Sequence, residues 1–167
     1  MQLLISDSNI LIDLIVVGHI KTMFRLPYKF AVPDILFEEE LKIHHSELLS
    51  YGLEIRSLSS ETVAYAFELS AKYTQPGTND LFALALAKEC SCPLLTGDGA
   101  LRQAAESEAV VLFGIIWIIE HMVRQHLINI VEARELFETM REQKRRLPWD
   151  LVRAHLNELE IELGSKA

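Results

Sequence analysis

Two aspartates, Asp7 and Asp98, are placed where a folded chain most often holds a ligand. Each follows a short apolar run typical of a buried strand, at residues 3–6 and 93–97, and each is followed by a helical pattern. In an open parallel sheet, the residues just past the carboxyl ends of the strands line the ligand crevice. Two carboxylates in that position are better suited to holding a cation than to holding the fold together.

Further acidic residues fall in early turns of predicted helices. They are Asp80 and the run Glu38, Glu39 and Glu40. If the first and fourth strands are neighbours, Asp7 and Asp98 face each other, and the helix starts complete an acidic ring around a hard divalent cation. The competing interpretation is that an acid near a helix start is only a cap or a dipole partner. Of the three consecutive glutamates, at least two are ordinary solvent-facing charges.

The elements that must position these acids alternate between strand and helix over residues 1–113. Strands are predicted at 2–6, 30–32, 53–58, 93–96 and 110–113, with helices between them. This alternation predicts an α/β fold, a three-layer parallel sheet with helices on both faces. From residue 114 to 167 the period is helical throughout, which predicts a C-terminal α-helical extension packed on the core of a single domain.

Three local signals refine the predicted helices. After a cap at Ser59 or Ser60, a helix is expected to place Val63, Ala64 and Phe67 on one face. Thr78 is expected to cap the next helix. In the extension, Asn129 with Glu132 three residues later resembles a capping box, and a last helix is expected to begin at Pro148 and run to residue 163.

Composition narrows the class of protein. The chain has 167 residues, 50% of them hydrophobic, and a net charge of −8, which argues against indiscriminate nucleic-acid binding. The longest apolar run, residues 109–119, is too short to span a bilayer, and no signal peptide is recognised. Cys90 and Cys92 alone make a poor zinc site. We therefore expect a cytoplasmic protein without a membrane anchor.

Four stretches of the chain resemble the successive motifs of PIN domains. They match in order and spacing, and the resemblance covers residues 3–113. The stretches are 6–13 (SDSNILID), 32–39 (VPDILFEE), 78–87 (TNDLFALALA) and 94–98 (LLTGD). The helical tail, with Arg145, Arg146, Leu147 and Pro148, is similar to one found in some prokaryotic PIN proteins.

The resemblance implies a metal-dependent ribonuclease, since many prokaryotic PIN domains are VapC-type toxins held in check by an antitoxin. By that resemblance, one or two Mg²⁺ or Mn²⁺ ions are held by an acidic quartet, with Asn9 supporting the first motif and Thr96 orienting the fourth. The quartet is Asp7, Glu39, Asp80 and Asp98, with Glu38 as a rival for Glu39. Some family members carry a further acid after the fourth motif, where this chain has Gly99-Ala100-Leu101.

An RNA substrate also needs cations near the crevice. Arg102 lies four residues after Asp98, one helical turn on, and is a candidate for contacting a phosphate; the alternative is an ion pair with Glu106. Lys144, Arg145 and Arg146 are either part of the RNA path or complements of a helix dipole. The expected partners are RNA, an antitoxin protein and a second copy of the chain.

Two other functions remain open from the sequence. One is phosphoryl transfer through a covalent aspartate, although the first motif has Asn9 where haloacid-dehalogenase-type phosphatases have a second aspartate. The other is a non-catalytic module that binds RNA or protein and keeps an inert acidic pocket, because four carboxylates can be present yet misplaced.

Overall fold

A five-stranded parallel sheet forms the centre of the molecule. The computed structural model describes residues 1–165. The strands run β1 Gln2–Ser6, β2 Tyr28–Pro33, β3 Glu54–Arg56, β4 Leu94–Leu95 and β5 Leu112–Phe113. Their spatial order is β3-β2-β1-β4-β5, and every neighbouring pair is parallel. The predicted parallel sheet is therefore confirmed, and β1 and β4 are adjacent, the condition under which Asp7 and Asp98 face each other.

Eleven α-helices and one π-helix surround or extend this sheet within the described residues. Their bounds are α1 Ser8–Val16, α2 Ile20–Met23, α3 Asp34–Leu36, the π-helix Phe37–Leu41, α4 Lys42–His45, α5 Leu48–Tyr51, α6 Ser60–Lys72, α7 Thr78–Glu89, α8 Gly99–Ser107, α9 Ile115–Arg124, α10 Ile130–Glu142 and α11 Trp149–Ser165. Helices separate successive strands, so each crossover returns the chain to a parallel direction. The fold class is thus a PIN-like α/β sheet with a helical C-terminal part.

The centre of the core is formed by β1 and α7. Leu4 and Ile5 of β1 have no exposed surface, as befits a strand covered on both faces. All seven residues 81–87 of α7 are buried, so this helix is apolar all round rather than amphipathic. Because α7 packs on both β1 and β2, its first turn is held rigidly beside the end of the central strand.

Two predictions for the helices on either side of residue 75 are wrong. The buried face of α6 is formed by Thr62, Ala66 and Leu69, whereas Phe67 is 62% exposed. Phe67 instead contacts Phe82 of α7 edge-on, with ring centroids 6.3 Å apart. The cap of α7 is Gly77 rather than Thr78, which is the first helical residue. The helical period alone left the rotation of α6 about its axis undetermined.

The three C-terminal helices continue the same hydrophobic core. Ile118, Ile119 and Met122 of α9 are fully buried, and Trp117 stacks on Phe113 of β5 with centroids 4.2 Å apart. The predicted capping box of α10 is present, because Asn129 and Glu132 each accept a hydrogen bond from the other's backbone N–H. None of the described helices is long and apolar enough to cross a bilayer. The division of the chain at residue 113 stays a prediction.

Candidate active site

Asp7 lies at the point where the strand order reverses, just past the end of β1. Its side chain caps α1: one oxygen, Oδ1, accepts the N–H of Ile10 at 3.0 Å, and Oδ2 accepts the hydroxyl of Thr96 at 2.5 Å. The residue is only 1% exposed. Burial raises the pKa of Asp7 to about 7, more than these two hydrogen bonds lower it. The site therefore holds a carboxylate whose charge is poorly solvated.

Thr96 links Asp7 to Asp98 across the two central strands. Its hydroxyl donates to Asp7 and accepts the backbone N–H of Asp98 at 3.1 Å. Asp98 in turn caps α8, accepting the N–H of Leu101 at 2.8 Å. The expected contact of Thr96 with the Asp98 end is therefore present. Both aspartates also act as helix caps, so the structural and the functional interpretations apply to the same side chains.

Asp80 faces this pair from the first turn of α7. Its pKa is raised to about 6, first by burial and then by repulsion from Glu40 and Asp98; a hydrogen bond from the backbone of Gly77 opposes the shift. Asp80 also repels Asp7 and raises the pKa of that residue. Asp7, Glu40 and Asp98 therefore all lie within electrostatic range of Asp80.

The three consecutive glutamates point in different directions. Glu38 pairs with Lys42 at 2.9 Å on the exposed side, and Glu39 accepts the amide of Asn79 at 2.8 Å. Glu40 accepts the hydroxyl of Ser8 at 3.1 Å and repels Asp80. Neither Glu39 nor its rival Glu38 therefore makes the contacts with Asp80 and the start of α1 that an inward-facing acid would make. Sequence analysis named Glu40 only as a member of the run.

A π-helix determines which of the three glutamates lies next to Ser8. Residues 37–41 form a wide turn that carries one more residue than an α-helical turn, so the directions of the following side chains shift. Phe37 and Leu41 both stay buried across this turn, and Glu40, next to Leu41, is carried towards Ser8. The motif pattern assumes an ordinary α-helix, and nothing in the three identical side chains signals the extra residue.

Asn9 lacks the expected hydrogen bond, and Arg102 lacks one of its two alternative partners. Asn9 is exposed, and its side chain makes no hydrogen bond within residues 1–165, whereas its buried neighbour Ser8 holds Glu40. Arg102 is exposed and forms no ion pair with Glu106 in the described part of the chain. Its guanidinium lies beside Gly114, 3.8 Å from where a Cβ would stand. It is therefore available to a phosphate at the β4–β5 side of the crevice.

An open cleft leads to these acids from the side of α3 and α7. Its volume is about 410 Å³. Both polar and apolar groups line it: Ile35, Glu39, Glu40, Gly77, Thr78, Asn79, Asp80 and Phe82. A cleft with acids on one wall and apolar side chains on another suits a ligand that carries both a cation and an apolar or aromatic part.

The donor set fits a hard divalent cation bound with water. No salt bridge partner neutralises Asp7, Glu40, Asp80 or Asp98 among residues 1–165, and a cation would relieve the repulsion between them. No three acidic, histidine or cysteine side chains of the described chain lie close enough together to enclose an ion directly. Mg²⁺ commonly keeps several waters and uses one or two carboxylates, so such spacing suits it better than Zn²⁺.

Comparison with known proteins gives the family. A comparison with curated proteins yields no match. Among solved structures, the chain is similar to a PilT N-terminus domain protein from the hyperthermophilic archaeon Sulfolobus solfataricus P2, with 17% identity, 74% of this chain and 94% of that chain covered, and a TM-score of 0.50. It is also similar to VapBC2 from Rickettsia felis, solved bound to a DNA fragment from its promoter, with 17% identity, coverage of 68% and 98%, and a TM-score of 0.50.

At this identity the structural likeness shows the fold alone. The family assignment comes instead from a model of a family described as DUF3368, a PIN domain, which matches residues 3–160. That match includes the four acidic positions of the crevice and most of the helical C-terminal part. The chain therefore belongs to the PIN domain family.

Proposed function

We propose that this chain is a divalent-metal-dependent endoribonuclease and the toxin of a toxin–antitoxin pair. PIN domains are generally nucleases and generally use divalent metals. The observation that carries the proposal is the group of four carboxylates at the β1–β4 edge, none of them paired with a cation in the described residues. We assign the quartet as Asp7, Glu40, Asp80 and Asp98, with Glu40 in place of Glu39.

The protein's own contribution to this chemistry is to hold anionic oxygens in place. Thr96 and the start of α1 fix the carboxylate of Asp7, and Ser8 fixes Glu40. When bound, a divalent cation lowers the pKa of a water and stabilises charge on a phosphate. Asp7 also serves poorly as a covalent nucleophile, because it is buried and both its oxygens accept hydrogen bonds. This disfavours the aspartate-based phosphoryl-transfer alternative.

The nuclease test exploits the capping role of the aspartates. Asn caps a helix about as well as Asp, so Asp7→Asn and Asp98→Asn remove a charge while keeping the cap. Purified protein with Mn²⁺ is expected to cleave a structured RNA, and each variant to lose cleavage. Glu61→Gln, which removes an exposed charge from the first turn of α6, is the control and should cleave normally. Cleavage by all four proteins at one rate would overturn the proposal.

The toxin role has a separate test in a bacterial host. It is supported by the fold shared with VapBC2, a protein solved on promoter DNA. Expression of the wild-type chain should arrest growth, and Asp98→Asn should not. Coexpression of the neighbouring open reading frame should restore growth if it encodes the antitoxin. Normal growth with active nuclease would reject the toxin role alone. Dimerisation stays a prediction, which light scattering can check.

One observation favours a non-catalytic binding module as the second candidate. No three ligand side chains of residues 1–165 are already arranged around an ion. Calorimetric titration with Mn²⁺ separates the two functions. Binding that is lost in Asp7→Asn supports the nuclease, whereas wild-type protein that binds neither Mn²⁺ nor Mg²⁺ supports the module.

A further inference from the structure

The helical C-terminal part contains one strongly basic segment. Residues 141–153 hold five cations, Arg141, Lys144, Arg145, Arg146 and Arg153, against two acids, in a chain whose net charge is −8. The segment spans the end of α10, the following loop and the start of α11. Such a concentration of charge of one sign is typical of a surface that meets a polyanion.

Most other arginines of the C-terminal helices are already paired. Arg124 binds Glu120 and Glu162, and Arg134 binds Glu160 at 2.7 Å. In contrast, Arg141, Lys144, Arg146 and Arg153 are exposed and make no ion pair among residues 1–165. These four cations are therefore available to a ligand without breaking an existing contact.

An aromatic residue lies within the same surface. A cleft of about 240 Å³ between α10 and α11 has Arg141, Arg153, Glu138 and the half-buried ring of Trp149 in its lining, and Trp149 also packs against the hydrophobic core. Arginines beside an exposed aromatic edge suit single-stranded nucleic acid, because the cations meet phosphates and the ring stacks on a base. An acidic peptide would use the cations but would gain less from the ring.

An ion pair joins residues 141–153 to α1, the helix that begins at the acidic crevice. Arg145 pairs through Nε with Asp13 of α1 at 3.1 Å, and both side chains are largely covered. Asp13 is close enough to Asp7 to repel it. The basic segment therefore lies against α1, whose cap is Asp7 of the crevice.

We propose that residues 141–153 form the RNA-binding surface of this protein, with Lys144 and Arg146 on phosphates and Trp149 stacked on a base. The surface offsets the repulsion between the acidic crevice and a polyanionic substrate. This inference rests on the proposed nuclease function for its biological meaning, but binding can be measured without cleavage.

Fluorescence anisotropy with a labelled single-stranded RNA, in EDTA, is the direct test. The double variant Lys144→Ala/Arg146→Ala should weaken binding about tenfold and reduce the slope of log K against log salt by about 1.4, two phosphate contacts on a single strand. The control is Arg25→Ala/Lys29→Ala, which removes two exposed cations of the α/β core. Equal losses in both double variants would mean that net charge alone acts, and would overturn the proposal.

Trp149 supplies a second, independent measurement. The chain has two tryptophans, so the variant Trp117→Phe leaves Trp149 as the sole indole reporter. RNA should quench its fluorescence, and Trp149→Leu should weaken binding about tenfold, the loss of one base stack. Circular dichroism shows whether the variants fold. Absence of quenching, or equal competition by polyglutamate, would overturn the RNA assignment.

Failure of this inference is distinguishable from failure of the proposed function. If Lys144→Ala/Arg146→Ala binds RNA as the wild type does while Asp98→Asn abolishes cleavage, the surface is wrong and the nuclease stands. If RNA binds through residues 141–153 but no protein cleaves it, the surface stands and the nuclease is wrong.

Discussion

Two groups of buried or half-buried acids in this molecule carry opposite electrostatic signatures. In the crevice, burial and mutual repulsion raise the pKa of Asp7 to about 7 and that of Asp80 to about 6. At the end of α8, Glu108 accepts hydrogen bonds from Tyr65, Tyr73 and Lys72, and its pKa is lowered to about 2. Burial is the largest cause of both raised pKa values, whereas three hydrogen-bond donors outweigh burial at Glu108.

Glu108 differs from the crevice acids because neighbouring donors satisfy its charge. Glu108 joins α6 to α8 with its charge satisfied, so the folded state gains from its ionisation. Folding places the crevice acids where their charges are poorly solvated and repel each other, which lowers the free energy of unfolding. A bound cation would raise it again. Functional sites commonly lower stability in this way.

The choice between Glu40 and Glu39 tests the assignment of the crevice most severely. Glu40→Gln should reduce cleavage about 100-fold or more, since even residues one shell away from a metal cost 10–100-fold. Glu39→Gln, which keeps an acceptor for Asn79, should change it little. Steady-state cleavage rates in Mn²⁺ measure both. A larger loss of cleavage in Glu39→Gln than in Glu40→Gln would show that Glu40 is not the glutamate of the quartet.

Removing the charge of Glu108 should damage the fold rather than the chemistry. Glu108→Gln weakens three hydrogen bonds to one carboxylate, and we expect a loss of about 2 kcal/mol in the free energy of unfolding. Glu106→Gln, on the same helix and exposed, is the matched control. The loss should shrink below pH 4.5, because the wild-type advantage disappears as Glu108 is protonated. Urea unfolding measures it, and no loss at pH 7 would contradict the proposed role.

Removing the charge of Asp80 should raise the free energy of unfolding, which is the opposite of the effect expected at Glu108. The pKa of the Asp80 carboxyl is near 3.8 in the unfolded chain and about 6 in the folded protein, so the folded state binds the proton more tightly. The free energy of unfolding of the metal-free protein therefore falls as the pH rises from about 4 to about 6. Asp80→Asn should therefore gain about 1–2 kcal/mol at pH 8, an allowance being made for its partial exposure, and much less at pH 4. Urea unfolding in EDTA measures this. Destabilisation at pH 8 would mean that Asp80 is a structural residue like Glu108.

Ser8→Ala probes the support of Glu40 and should have the smallest effect. The variant deletes the 3.1 Å hydrogen bond to Glu40 without removing a charge. We expect cleavage to fall about fivefold, about 1 kcal/mol, with a stability change of similar or smaller size. Asn9→Ala, which removes an exposed side chain, is the adjacent control and should leave the rate unchanged. Equal effects of the two variants would argue that Ser8 does not position Glu40.

The parallel sheet and the strand ends that carry Asp7 and Asp98 were predictable. An apolar run followed by an aspartate and a helical pattern indicates a strand, a cap and a helix from local physics alone. Both aspartates are indeed caps that meet at adjacent strands. These signals act over a few residues, whereas the order of the strands depends on contacts between distant residues and was not predicted.

The features that sequence analysis missed depend on contacts between distant parts of the chain. The rotation of α6 is set by packing on α7, which leaves Phe67 exposed. The direction of Glu40 depends on a π-helix and on a hydrogen bond from Ser8. The ion pair between Arg145 and Asp13 joins residues 132 positions apart, and no local pattern announces it.

The π-helix also has a consequence for protein engineering. Because the wide turn holds one residue more than an α-helix needs, a deletion of Glu38 would let the backbone close into a regular turn while Phe37 and Leu41 kept their buried positions. The shortened chain is then expected to retain cleavage. Insertion of one alanine after Phe37, in contrast, would overfill the turn and direct a different carboxylate towards Asp80.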